Sequence, residues 1–131
     1  MKILNYSSVE PKDAGEGTSK VTIRWLIDKK TGAKNFFMRL FEIEVGGYTP
    51  LHQHDWEHEV FILEGEGVIV YEEETKLFCA GDVIFISPNE KHQFRNSGKK
   101  LVKLLCLIPN KKDNEEVISC GCRQNDCQSC K

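Results

Sequence analysis

PLHQHDWEHEVFILEGEG, residues 50–67, sets three histidines ahead of an apolar run that ends on a pair of glycines. The chain holds 4 histidines in all; His52, His54 and His58 stand here, and His92 is remote in sequence. One residue separates His52 from His54, so in an extended strand both imidazoles leave the same face, close enough to reach one cation. Trp56 and His58 continue the even-numbered series. Four neutral imidazoles suit borderline divalent cations such as Mn, Fe, Co, Ni, Cu or Zn, whereas Ca and Mg prefer oxygen shells. A barrel is the sort of fold that returns His92 to the same interior. The pattern therefore predicts one metal site built from His52, His54, His58 and His92.

Outward from this stretch, strand signals recur at short intervals. KVTIRWLI (20–27) leads through the turn-like DKKTGAKN to FFMRLFEIEV (36–45). EVFILEG and GVIVYEEE are divided by Gly65 and Gly67, and TKLFC and DVIFISP by a turn at Ala80-Gly81. HQFRN and LVKLLCLIP (101–109) complete the series. Period-two patterning with Gly, Pro and Asn punctuation, and no long segment of helical period, predicts an all-β sandwich or small barrel. Alternation places Phe37, Arg39, Phe41, Ile43 and Val45 on the inner face, because Glu42 and Glu44 meet solvent. The same rule turns Val102, Leu104, Cys106 and Ile108 inward, and puts Phe94 on the face of His92.

At 131 residues with a formal charge of -2, the chain has room for one compact domain and carries no basic field. Nucleic acid and anionic membrane are excluded as expected partners, and no apolar run is long enough to cross a bilayer. The N-terminal MKILNYSSVEPKD lacks a sustained apolar region, so a cytoplasmic location is expected. Of the 6 cysteines, Cys79 and Cys106 stand alone in apolar segments, while Cys120, Cys122, Cys127 and Cys130 crowd the C-terminal end. That is no framework for stapling a secreted fold. The expected division is a barrel domain over 1–109 with its N-terminal strand region, a charged linker over 110–119, and a cysteine-rich tail over 120–131.

The chain resembles the cupins, and more narrowly the small single-domain cupins that bind manganese through four histidines. Gly46, His52, His54 and Gly65 fit the first cupin motif, with His58 at the position of its usual glutamate ligand, flanked by Glu57 and Glu59. Gly81, His92 and Asn96 fit the second motif, whose usual proline and glycine positions fall on Ser87 and Asn89, with Pro88 one place late. The resemblance runs from about residue 20 to Pro109. It implies a double-stranded β-helix, or jelly-roll barrel, and a divalent transition metal. Manganese is the ion implied, with Zn, Ni, Fe or Cu as alternatives. It also implies a homodimer, for which Met38 and Leu40, opposite Arg39, offer an outer apolar face. Four neutral ligands leave the full charge of the ion in place, which favours anionic or oxygen-rich ligands.

Two further side chains are candidates for catalysis. Arg39 on the inner face can steady a carboxylate or oxyanion beside the metal. Cys106 shares that face, where a thiol can meet a metal or be oxidised. The tail thiols Cys120, Cys122, Cys127 and Cys130 can hold a second metal, zinc foremost, or an iron–sulfur cluster or Cu(I), or can pair as disulfides. The leading function is a metal-dependent oxidoreductase of dioxygenase type acting on a small organic molecule. A metal-dependent binding or sensing protein and a sugar or keto-acid isomerase are the alternatives.

Overall fold

The computed structural model describes residues 1–111; the four tail cysteines and most of the expected linker lie outside the described residues. The strands are β1 (Lys12–Asp13), β2 (Ser19–Ile27), β3 (Phe36–Tyr48), β4 (His58–Glu64) and β5 (Glu66–Tyr71). They continue as β6 (Glu74–Cys79), β7 (Val83–Ile86), β8 (His92–Arg95) and β9 (Val102–Pro109). All pairings are antiparallel. The order is β6-β5-β8-β3-β9-β4-β7, with β2 added to β3 and β1 to β2. The strands form one curled sheet, as expected of a single-domain jelly roll. Of them, β1 gave no signal in the sequence, being too short to show a period.

The turns follow from their residues. In DKKTGAKN, the Asp28 carboxylate accepts from the Lys30 and Thr31 amides at 3.0 and 3.3 Å, and Gly32 takes the left-handed φ of 108° that ends the turn. Gly65 joins β4 to β5 at φ 86°, and a Cβ there would stand 2.6 Å from the Leu101 carbonyl oxygen. Glycine alone combines that conformation with that approach.

Alternation fills the interior. Ile43, Ile62 and Val102 are 0% exposed and pack with Val60, Leu104 and Phe94, each such burial stabilising by about 1.5–3 kcal/mol. Two facing expectations need correction. Val45 is exposed, because the β2–β3 register jumps between Val21↔Ile43 and Ser19↔Tyr48 and throws residues 44–47 out of alternation. Leu40 on the outer face is buried and Met38 half-buried within the single chain. The N-terminal segment lies over this side: Lys103 Nζ donates to the Tyr6 hydroxyl at 3.0 Å, and the Arg24 guanidinium, paired in register with Leu40, sits 5.3 Å from the Tyr6 ring. These two residues therefore offer no open face to a second copy.

Candidate metal centre

An extended strand would put His52 and His54 on one face, but residues 52–57 form a loop in which His52 makes an isolated antiparallel bridge to His92. The His52 amide donates to the His92 carbonyl at 3.1 Å and the His92 amide returns a bond of 2.9 Å. The Thr49 amide bonds the Phe94 carbonyl at 2.9 Å, while the Thr49 hydroxyl accepts from the Phe94 amide at 2.9 Å. The Asn89 amide bonds the His54 carbonyl. Backbone pairing with β8, and not strand geometry of the His-x-His segment itself, brings the three rings together.

His52, His54 and His92 present one ligand atom each within 4.8 Å of one another. Ring centroids lie 4.3 Å apart for His52 and His54, and 4.9 Å for His52 and His92. His58, the first residue of β4, stands outside this tightest set but its ring is 5.1 Å from both His54 and His92. It is 5% exposed, and its Nε2 is buried with no hydrogen-bond partner among the described residues. A buried ring nitrogen without a partner is what a ligand position leaves in the protein framework. Glu57 and Glu59 are exposed and do not line the site, so neither replaces His58.

The electrostatics favour neutral imidazoles, the form that binds metal. Burial pulls His58 down to about 2, with the nearby charge of Arg39 adding to it. His52 falls to about 4 through burial, helped by His92 and Arg39. Burial also lowers His92, opposed by its contact with the Glu90 carbonyl. That carbonyl lies 2.8 Å from His92 Nδ1. A carbonyl can only accept, so Nδ1 carries the proton and Nε2 is left as the lone-pair nitrogen.

Around the cluster opens a cavity of about 640 Å³. Arg39 and Cys106, a register pair on β3 and β9, both line it. Arg39 Nη2 donates to Cys106 Sγ at 3.0 Å, and its guanidinium carbon lies 5.5 and 5.0 Å from the Trp25 and Phe41 rings. Among the described residues Arg39 has no acidic partner, and its Nε is buried without a hydrogen bond. Burial pushes the Cys106 thiol up, and Arg39 opposes it. Phe37, Phe41, Phe94, Leu104 and Ile108 give the apolar wall. Trp25 and Trp56 were missed as lining residues. The register Trp25↔Arg39 places Trp25 across from the arginine, and Trp56 stacks on His54 with centroids 4.4 Å apart and planes at 7°. The even-numbered series through Trp56 was the available signal.

A curled antiparallel sheet that gathers histidines at one mouth defines a metal-competent β-barrel. Residues 39–108 match the Cupin_2 family, a cupin domain, and the chain belongs to that family. It is 37% identical over 125 residues to the uncharacterized protein MJ1618 of Methanocaldococcus jannaschii, covering 90% of this chain and 97% of that one. The oxalate-binding protein of Thermotoga maritima is 30% identical over 112 residues, 81% of this chain and 92% of that protein. Among solved structures, the polyketide cyclase RemF of Streptomyces resistomycificus superposes with a TM-score of 0.79 at 33% identity, over 83% of this chain and 79% of that one. Relatives thus named do different things, and the shared part is the barrel.

Proposed function

We propose that this cupin binds one divalent transition metal through His52, His54, His58 and His92, holds a small organic anion between that metal and Arg39, and oxidises it with dioxygen or a peroxide. The observation that supports the reading is Arg39: a half-buried cation with no acidic partner among the described residues, facing the histidine cavity. A cation so placed favours an anionic ligand. The metal, manganese by resemblance, would supply Lewis-acid and redox chemistry to oxygen ligands. The chain's own part is to fix four nitrogens, to receive the anion on a guanidinium held between two aromatic rings, and to keep water off the apolar wall.

The isomerase reading needs a general base. Glu57, Glu59 and the tyrosines do not line the cavity; Asp13 and Asp28 do, but their carboxylates accept from backbone amides of their own turns, at Gly15 and at Lys30 and Thr31. A binding role keeps support from the oxalate-binding relative. The deciding experiment loads the protein with Mn(II) or Fe(II) and offers a panel of small carboxylates, oxalate included. Calorimetry reads binding, and product is followed with and without oxygen or peroxide. Turnover that requires the oxidant is the expected result. Undiminished turnover without it refutes the oxidoreductase reading, and tight binding with no turnover leaves a binding protein. We also place the chain as a homodimer, through the exposed Phe61, Val83 and Phe85 of β4 and β7; a monomeric mass in light scattering at micromolar concentration would refute that.

A further inference from the structure

We infer that Cys106 is the acceptor that fixes which nitrogen of His58 faces the metal position. The inference rests on the metal reading above. Cys106 Sγ lies 3.3 Å from His58 Nδ1 and receives Arg39 Nη2 at 3.0 Å. An imidazole that offers its Nε2 lone pair to a cation carries its proton on Nδ1, and that proton needs an acceptor. His92 shows the arrangement with a backbone carbonyl, since its Nδ1 faces Glu90. Among the described residues His58 has no such carbonyl. At its Nδ1 stands the sulfur, and its Nε2 is the buried nitrogen without a partner.

The backbone holds the sulfur in place. Cys106 sits on β9, hydrogen-bonded between β3 and β4, with Arg39 and Val60 as its register partners. It thus stands between the strand that carries the guanidinium and the strand that carries His58. Arg39 pins the sulfur from one side, and His58 donates to it from another. Cys106 acts through His58, so it is a positioning residue. A serine oxygen, on a shorter bond, accepts the same proton from further away; a valine fills the space and accepts nothing. If Cys106 merely filled the core, valine would serve as well as cysteine.

The test uses the full chain under reducing conditions with Cys106→Val and Cys106→Ser. Nitrogen-15 NMR of the metal-free protein reads the His58 tautomer, and calorimetry with Mn(II) alone reads affinity. Wild type should show the Nδ1–H tautomer. Cys106→Val should show a mixture and bind Mn(II) about tenfold more weakly or worse, with Cys106→Ser between the two. A wild-type tautomer and affinity in Cys106→Val overturn the inference. So does a sulfur-to-cobalt charge-transfer band in the Co(II)-loaded wild type, which would make Cys106 a ligand. If Cys106→Val fails to fold, the tautomer and affinity of Cys106→Ser decide. Absence of Mn(II) binding in wild type would sink the metal reading, while the tautomer still tests the acceptor.

Discussion

Replacing Asn96 should unfasten the end of β8 from its neighbours, by an amount the structure lets one count. The side chain is buried; its amide nitrogen donates to the Ile43 and Lys100 carbonyls, both at 2.8 Å, and its oxygen accepts from the Gly98 amide at 3.0 Å. Two acceptors on one side and a donor on the other fix the amide in one orientation. Asn96→Ala removes all three bonds, which at about 1 kcal/mol each costs about 3 kcal/mol. For a domain of this size that lowers Tm by about 10 °C. Asn96→Asp keeps the shape but points a carboxylate oxygen at two carbonyls, so it should be the less stable of the two. Thermal and urea unfolding followed by circular dichroism give the comparison. Mn(II) affinity in the folded fraction of Asn96→Ala should stay at the wild-type level, because the His52–His92 bridge does not involve Asn96. An Asp variant as stable as the Ala variant, or an Ala cost below about 1 kcal/mol, would refute this account of the residue.

Gly67→Ala should be more damaging than its size suggests, costing about 3 kcal/mol or more, since a Cβ there meets the Arg95 carbonyl and stands 2.8 Å from the Phe78 ring; a urea midpoint near wild type would contradict it. Chelation should strip the metal and leave the barrel folded, because the backbone bonds of the His52–His92 bridge require no ion; loss of the far-UV spectrum on adding chelator would show otherwise. A fragment of residues 1–111 should fold and keep its metal, whereas one ending at Pro109 should lose about 2 kcal/mol. Asn110 is buried, its amide bonding the Asn35 carbonyl and its side chain the Lys34 carbonyl, each at 3.0 Å. Equal stability of the two fragments would place the edge of the domain at Pro109.

Period two made most of the barrel legible. β2 through β9 sit where their apolar runs and glycine breaks put them, and Arg39, Cys106, Leu104 and Ile108 reach the cavity on strand parity. Parity failed at Val45, where a register jump beside the Gly46-Gly47 pair reverses the face. Parity is also not what gathers His52 and His54: their rings do come together, but a bridge to a strand about forty residues on supplies the geometry. Trp25 could not be assigned to the cavity before its partner strand was known. The contact of Cys106 with His58 is likewise a matter of three strands side by side, and such information is absent from any single stretch of chain.

The place of β9 in the sheet bears on the order in which the molecule can be made. It lies between β3 and β4, yet it is synthesised after both, and each of them reaches the other only through it. Until residue 109 has left the ribosome, the long inner flank of β3 and that of β4 have no mate. From the completion of β4 at Glu64 to that of β9 at Pro109, the nascent chain carries two open strand edges. Closure then depends on contacts far apart in sequence, which slows folding. A cell that makes this small barrel quickly exposes those edges to one another before the strand that separates them arrives.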